Sequence, residues 1–433
     1  MKVDLLYGKS VLTVTCPAKA EVTVIRKPPM PTLANPGLAV INALSQPVGC
    51  DSLPHLVADS RSVCILVCDV TRPVPNHVFL RPLIEALTRS GILLERITVL
   101  VATGLHRPNE GDELASVIGD DWVLKNVRVV NHDARNDEQH IDLGFTSRNT
   151  PIRLDRRFVE ADLGIATGLV DPNLMAGYSG GRKVVAPGIA HADTIRTLHS
   201  ARFMEDPGCV QCNLEGNPLQ AEQLEIIGTL KQHKGRDLLA LNTGIDDERR
   251  LSFINFGEIV ASHLESVAFA DHYSTVSTPK RYSTVVTSAA GYPLDQTYYQ
   301  TVKGMVTPMG ILAQDANLII ASECAEGLGS AAYRASQERL VLDGPAAFRA
   351  GILNKRLADI DEWETEMQLK SQRFANVKLY STGLSDDERA LTGVEIIDSV
   401  DAAIEDSVRT TGDAAIAVIP EGPYVVPRFQ AQS

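Results

Sequence analysis

Gly168-Leu169-Val170-Asp171-Pro172-Asn173-Leu174-Met175-Ala176-Gly177-Tyr178-Ser179-Gly180-Gly181-Arg182-Lys183-Val184-Val185-Ala186-Pro187-Gly188-Ile189-Ala190-His191 is the stretch whose reading decides the fold. It follows Asp162-Leu163-Gly164-Ile165-Ala166, a short apolar run that reads as a buried strand. Its centre is Ser179-Gly180-Gly181-Arg182-Lys183. Two glycines let the backbone take positive φ and come close to a ligand. Consecutive N–H groups in such a turn form an anion-binding nest. Ser179 adds a hydroxyl, and Arg182 and Lys183 add cations. A Gly-rich turn between a strand and a helix is a phosphate site on physical grounds, completed by the helix N-terminus. Neither a Walker spacing nor Gly-x-Gly-x-x-Gly is present. The plain alternative is a Gly-rich surface turn with two solvated cations.

Working outward, the same order of strand, polar loop and helix recurs upstream. Ser62-Val63-Cys64-Ile65-Leu66-Val67-Cys68 is a continuous apolar run, the mark of a strand buried on both faces. It ends in Asp69-Val70-Thr71-Arg72-Pro73 ahead of a helix over 76–90. Arg96–Val101 is the next strand, ending in Ala102-Thr103-Gly104-Leu105-His106-Arg107-Pro108 ahead of a helix from about 110. Val127–Val130 follows, and 132–150 reads as loop. Three such repeats imply right-handed βαβ units in a mostly parallel sheet. Ligands bind such sheets beyond the carboxyl ends of the strands, so the three polar motifs are expected to converge on one pocket.

Residues 190–202 read as one helix carrying His191 and His199, and 256–270 as another. The polar segment 274–280 reads as a domain boundary. Beyond it a second alternation begins: strands at 282–287, 317–321, 377–380 and 415–419, with helices at 297–304, across 331–371, at 385–391 and at 398–407. The expected architecture is α/β, two α/β domains with mostly parallel sheets and the active site in the cleft between them. Residues 1–273 would form the cofactor-binding catalytic domain. Residues 274–433 would form a C-terminal α/β domain contributing substrate contacts.

Composition narrows the function. A chain of 433 residues exceeds one hydrophobic core. A net charge of −13 disfavours non-specific nucleic-acid binding. No run is long enough to span a membrane, and the N-terminus lacks a signal-peptide core, so a cytoplasmic location is expected. Seven cysteines, an odd number in a large acidic protein, suggest thiols rather than a disulfide frame. Cys209-Val210-Gln211-Cys212 is a lone pair, too few ligands for structural zinc.

Several side chains could carry chemistry. Lys183 could contact phosphate, act as a nucleophile, or be merely solvated. His106 at a strand end is a natural proton acceptor, or a surface residue. Asp69 could hold a ribose hydroxyl or cap the next helix. Arg72 suits bidentate carboxylate or phosphate binding. Tyr299 and Lys303 lie four apart on one helix face and, with Gln300, offer a hydroxyl, a cation and an amide to a small anion. His199 could be a base or a metal ligand, with His191 the competing choice.

Taken together, four pieces resemble the lactate racemase family of nickel-pincer nucleotide enzymes. They are Asp69-Val70-Thr71-Arg72-Pro73; Ala102 to Pro108; Ala176 to Lys183 with Pro187-Gly188; and Pro293-Leu294-Asp295-Gln296 with Tyr299, Gln300 and Lys303. The terminal Ile419-Pro420-Glu421-Gly422-Pro423-Tyr424-Val425 is also similar. The resemblance implies a nickel complex of pyridinium-3-thioamide-5-thiocarboxylic acid mononucleotide as cofactor. It implies a covalent link at Lys183, nickel ligation by His199, and cofactor contacts from Asp69, Thr71, Ser179, Gly180 and Gly181. The substrate, a small 2-hydroxy acid, would meet Arg72, Tyr299, Gln300 and Lys303. Enzymes that make the cofactor would be partners; nucleic acid and membrane would not.

Family chemistry removes hydride from the hydroxyl-bearing carbon while a base takes the hydroxyl proton. Two bases serve the two substrate orientations. The resemblance maps one to His106. The other falls at Asn173, in Asp171-Pro172-Asn173, where the family pattern is Pro-His. An amide cannot accept a proton at neutral pH. This departure leaves three outcomes: another base such as His77, a diastereomeric substrate served by one histidine and water, or one-sided proton traffic. A racemase or epimerase of a 2-hydroxy acid other than lactate follows, with Asn173 binding a substrate hydroxyl. The rivals are a nucleotide-dependent hydrolase or transferase, and a cofactor-binding relative with altered or lost isomerase activity.

Overall fold

The computed structural model describes residues 1–431. The chain divides into two compact units. One comprises residues 29–198 and 206–273; the other comprises residues 1–28, 199–205 and 274 onward.

The first unit is built on a six-stranded sheet. From one edge its order is Leu251–Glu258, Leu239–Ile245, Leu163–Leu169, Val63–Cys68, Ile97–Ala102 and Arg128–Asn131. All neighbours are parallel except the first pair. Val63–Cys68 sits centrally because its side chains are apolar on both faces, and its first five residues are buried. From there the chain steps outward to Ile97–Ala102 and Arg128–Asn131, then returns to the opposite flank at Leu163–Leu169. Loops leaving the tips of Val63–Cys68 and Leu163–Leu169 therefore part in opposite directions, and such a reversal opens a ligand crevice. Helix Asn76–Arg89 buries Phe79, Leu80, Leu83, Ile84 and Leu87 against this sheet. Each contributes about 1.5–3 kcal/mol of apolar burial.

The second unit carries another six-stranded sheet, parallel throughout. Its order is Glu395–Ile396, Ala375–Tyr380, Leu312–Ala321, Tyr282–Ser288, Ala415–Ile419 and Glu21–Val24. Four elements differ from the sequence expectation. Residues 1–28 do not stay with the domain that follows them. Glu21–Val24 pairs with Ala415–Val418, and the hairpin of Lys2–Tyr7 and Ser10–Thr15 packs Val3, Leu5 and Tyr7 onto Val286, Ile319 and Val418. Within 132–150 lies the strand His140–Phe145, paired antiparallel with Pro151–Asp155. Residues 251–258 form the antiparallel edge strand, so the helix expected over 256–270 begins at Ile259 and runs to Ser274. The single helix expected over 190–202 is two, Ala192–Leu198 and Ala201–Met204.

The boundary segment forms the strand Thr275–Thr278, paired with Val426–Phe429. Cys16, Cys50, Cys64, Cys68 and Cys324 are unbridged thiols. Among the described residues no helix is long and apolar enough to cross a membrane.

Candidate functional site

In the first unit, three strand tips bring polar loops together. Asp69 and Arg72 leave Val63–Cys68, His106 leaves Ile97–Ala102, and Asp171 leaves Leu163–Leu169. His106 Nδ1 lies 2.6 Å from Asp69 Oδ2. Arg72 Nη1 lies 3.4 Å from Asp171 Oδ2. Burial leaves the Cys68 thiol with a pKa raised to about 12, and that thiol feels the charges of Arg72, Asp69, Lys183 and Asp171. Asp69 and Arg72 follow the strand of Cys68 directly, and Asp171 meets Arg72 beside it. The tail of the Gly-rich stretch joins the His106 loop directly, since the Gly104 N–H donates to the Gly188 carbonyl over 2.9 Å.

The Asp69–His106 pair is asymmetric. Asp69 is buried, whereas 61% of the His106 side chain is exposed. Asp69 Oδ1 accepts from the Thr71 hydroxyl at 2.6 Å and from the Thr71 N–H at 3.3 Å. Burial raises the Asp69 pKa, but His106, the Thr71 hydroxyl and Arg72 together outweigh it, and the carboxyl lies below its ordinary range. An ionised Asp69 therefore accepts from His106 Nδ1–H, which leaves Nε2 as the outward-facing proton acceptor. Carboxylates orient catalytic imidazoles in this way elsewhere. Asp69 and Thr71 were expected to hold cofactor; in this structure their side chains hold His106 and each other.

The Gly-rich loop differs from its expected form. Gly180 and Gly181 have φ of +75° and +48°. A Cβ on Gly181 would lie 2.7 Å from the His263 ring, so only glycine fits there. Among the described residues no backbone carbonyl accepts from the N–H groups of Gly180 and Gly181. The following helix, Arg182–Val185, is a single turn, which limits its contribution to anion binding. Arg182 is turned into the protein, and its Nη2 is buried without a hydrogen-bond partner among the described residues. It is 1% exposed, with Nε bonded to Gln220 at 2.7 Å and Nη1 to His263 Nδ1 at 3.2 Å. Burial lowers its pKa to about 10. His263 is held neutral, its pKa brought to about 3 by burial and then by Arg182, and it bonds the Ser179 carbonyl at 2.7 Å. Ser179 Oγ donates to the Leu169 carbonyl at 2.7 Å and contacts Asp171, so this hydroxyl shapes the turn. Lys183 is half-buried on the one-turn helix.

Asn173 also shapes its own loop. Its Oδ1 accepts from Met175 N–H at 3.3 Å and Ala176 N–H at 2.9 Å. His77 stands exposed in the first turn of Asn76–Arg89, its Cα and Cβ against Gly119. His191 is buried ahead of helix Ala192–Leu198, with Nε2 3.1 Å from Asp137 and Nδ1 3.1 Å from Arg153.

The second unit holds the other expected residues. His199 lies in the turn after Leu198 rather than on a helix. Its ring centroid is 4.7 Å from that of Trp363. Trp363 Nε1 in turn donates to the Tyr299 hydroxyl at 3.3 Å. One chain of contacts thus links His199 to helix Tyr298–Val306, which bears Tyr299, Gln300 and Lys303. Gln300 Oε1 is buried without a hydrogen-bond partner. The segment 199–205 is fixed by Glu205, which takes Arg349 Nε at 2.8 Å and both Arg373 terminal nitrogens at 2.8 Å. Asp295, from the Pro-Leu-Asp-Gln piece, is fully buried and accepts from the Gly8 N–H at 2.7 Å, so it ties down the N-terminal hairpin.

Comparison with known proteins matches this arrangement to one family. The family description "Lactate racemase N-terminal domain" fits residues 7–210, and "Lactate racemase C-terminal domain" fits residues 278–426. A lactate racemase from Thermoanaerobacterium thermosaccharolyticum is 30% identical over 98% of this chain and 99% of its own length. The chain belongs to the lactate racemase family. A second lactate racemase, from Lactiplantibacillus plantarum, is 29% identical over 89% of this chain and 90% of its own. The structure of the T. thermosaccharolyticum lactate racemase apoprotein superposes with a TM-score of 0.88 at 27% identity, covering 99% of this chain and 100% of that one. A crystal structure of a Thermotoga maritima protein, 17% identical with a TM-score of 0.63 over 87% of this chain and 96% of that one, shares the fold.

In this lactate racemase family member, four residues at or behind these loops escaped the sequence reading. Asp171 pairs with Arg72, His263 and Gln220 support the Gly-rich turn, and Trp363 bridges His199 and Tyr299. Asp171 adjoins a strand tip, a signal that could have found it. The other three lie in helices or at a helix start far along the chain, and nothing local marks them.

Proposed function

We propose that this protein is a racemase or epimerase of a 2-hydroxy acid that works with a nickel-pincer nucleotide and uses His106 as its base. The observation that carries this reading is the Asp69–His106 pair beside Arg72 at the reversal of the sheet. The donor set suits such a cofactor. Among the described residues no three His, Cys, Asp or Glu side chains are grouped to hold a metal. A nickel complex that brings its own sulfur and carbon donors asks the protein for little beyond one imidazole, and imidazole is a suitable nickel ligand. His199 would supply it. Lys183 would form the covalent tether, and the open N–H groups of Gly180 and Gly181 suit a phosphate.

When bound, the cofactor supplies a reversible acceptor for the hydride on the substrate's hydroxyl-bearing carbon. The chain's residues do the rest. Arg72 exchanges its partly exposed contact with Asp171 for the substrate carboxylate, a stronger bidentate partner. His106 Nε2 takes the hydroxyl proton and later returns it, while Asp69 stabilises the imidazolium. Tyr299, Gln300 and Lys303 are assigned to the substrate, and the orphaned Gln300 Oε1 is suited to a substrate hydroxyl.

Asn173 neither accepts a proton nor has Oδ1 free for substrate, so it supports its loop and offers only its N–H donors. That commitment favours a second reading, a family member with altered or lost isomerase activity. The physiological partners in either reading are the enzymes that supply the cofactor.

Protein co-produced with those enzymes is expected to carry one covalent nucleotide and nickel, by intact mass and metal analysis. Lys183→Ala is expected to lose the nucleotide; retention would overturn the tether. Chiral chromatography over a panel of 2-hydroxy acids then separates the two readings, since a loaded protein that interconverts none of them supports the second.

A further inference from the structure

Asn109 is a polar residue with only 2% of its surface exposed. It stands three residues beyond His106, ahead of helix Gly111–Ile118. Its backbone and both ends of its amide are engaged. The backbone N–H donates to Asn131 Oδ1 at 3.0 Å, and the carbonyl accepts from Asn131 Nδ2 at 2.9 Å. Oδ1 accepts from the Val70 N–H at 3.2 Å, and Nδ2 donates to Glu113 Oε2 at 2.8 Å. These partners fix which end of the amide is oxygen, because a backbone N–H only donates and a carboxylate only accepts. The Glu113 carboxylate also takes both terminal nitrogens of Arg107, at 2.7 and 2.8 Å. The bonds from Arg107 and Asn109 hold its carboxyl below the ordinary range.

The Asn109 side chain therefore spans the two loops that meet in the Asp69–His106 pair. Val70 follows Asp69 directly. Asn109 itself is anchored to the end of strand Arg128–Asn131 and, through Glu113, to helix Gly111–Ile118. The ladder between Val63–Cys68 and Ile97–Ala102 stops at Cys68 and Ala102. Beyond it, among the described residues, two hydrogen bonds join loop 69–75 to loop 103–110. One is the Asp69–His106 contact and the other is the Val70–Asn109 contact.

His106 is mostly exposed, so the 2.6 Å contact with Asp69 sets its tautomer. Such a bond weakens steeply once its distance or angle leaves the normal range. We propose that Asn109 is a positioning residue for the base: its side chain clasps the Asp69 loop to the His106 loop and so keeps Asp69 Oδ2 within reach of the His106 Nδ1–H. The catalytic effect rests on the reading of His106 as base, whereas the clasp is a property of the ligand-free protein.

The test reads the imidazole first and turnover second. Asn109→Leu keeps the bulk and removes both side-chain bonds; Asn109→Ala removes them and admits water in their place, should the first variant not fold. In nitrogen-15 spectra of histidine-labelled, ligand-free protein, at a pH where the ring is neutral, wild-type His106 is expected in the Nδ1–H form. Its signals are identified by their loss in His106→Gln. In either Asn109 variant the ring is expected to sample both tautomers. Asn109→Asp combined with Glu113→Gln exchanges donor and acceptor across the same gap: one carboxylate oxygen still accepts from the Val70 N–H, and the other accepts from the new amide. That pair should restore the Nδ1–H form. An unchanged His106 tautomer in a folded Asn109 variant overturns the proposal, whatever the enzyme does, and so does a double variant that restores nothing. In cofactor-loaded protein, loss of the clasp is expected to lower kcat about tenfold with KM within about twofold of wild type. A disturbed tautomer with undiminished turnover refutes His106 as base, the reading on which the catalytic effect rests.

Discussion

Asp69→Asn tests the central geometry with one atom changed. Asp69 Oδ1 accepts two donors from Thr71, its N–H and its hydroxyl, while Oδ2 meets His106 Nδ1 at 2.6 Å. In the variant the two Thr71 donors fix which end of the amide is oxygen. The NH2 end then points at His106 Nδ1, where it can only donate. The imidazole must present a lone pair at Nδ1 and carry its proton on Nε2, so the outward nitrogen ceases to be a base. A charge-assisted hydrogen bond contributes about 1.5–3 kcal/mol, which alone corresponds to roughly 10–150-fold in rate. Inverting the tautomer of a triad histidine in the same way costs about 10⁴ in a serine protease. His106 is 61% exposed and can reorient at some cost, so the loss expected here is about 10²–10³-fold in kcat/KM.

The assay is interconversion of lactate enantiomers, or of whichever 2-hydroxy acid proves active, followed by chiral chromatography. Nickel and nucleotide content are measured on the same sample, and both should match wild type. Activity within about threefold of wild type, with cofactor loaded, would show that Asp69 does not govern the protonation of His106. It would remove the main support for His106 as base.

Two further outcomes concern the scaffold. Gly181→Ala should destabilise the protein by about 2–4 kcal/mol, from a left-handed backbone at φ +48° and a Cβ 2.7 Å from the His263 ring; denaturant unfolding that matches wild type would show that the turn relaxes freely. Asp155 lies wholly buried between His132, 2.9 Å away, and Arg157, whose Nε is 2.8 Å away. Burial raises its pKa, but Arg157 and His132 outweigh that and bring it down to about 2. A carboxyl with a depressed folded pKa stabilises fully above its unfolded value of 3.8, so about 2 kcal/mol should be lost as pH falls from about 4 to about 2. Asp155→Asn should cost roughly 3–5 kcal/mol at neutral pH and abolish that part of the acid sensitivity, read by urea unfolding at several pH values.

The parallel sheets were legible because their strands are apolar on both faces. Val63-Cys64-Ile65-Leu66-Val67-Cys68 allows few other readings, and it is the central strand. Placement of polar residues at strand tips then followed from topology alone. What stayed hidden was pairing between distant segments. Nothing local says that Asp69 meets His106, because that contact depends on Val63–Cys68 and Ile97–Ala102 being neighbours in a fixed register. Glu21–Val24 carries no mark of its partner Ala415–Val418, so the N-terminal segment was assigned to the wrong unit. Strand Leu251–Glu258 was read in part as helix because Ile259–Ser274 follows it without a turn. His199 was separated from its helix by a break at 199–200 that no Gly or Pro announces.

The polar residues between Gly168 and Lys183 divide more sharply than their composition suggests. Ser179 and Asn173 spend their oxygens on backbone groups nearby, and Arg182 turns inward to Gln220 and His263. In this structure these polar groups hold the turn in its shape. An oriented imidazole with no matching partner at Asn173 constrains how an isomerase could behave. Enantiomers are equal in free energy, so kcat/KM must be the same in both directions at every pH, however lopsided the site. One-sided proton transfer would appear instead as compensating differences in kcat and KM for the two enantiomers. Diastereomers carry no such equality, and a site with one base is under less constraint there. This is the physical reason that Asn173 bears on substrate class as well as on rate.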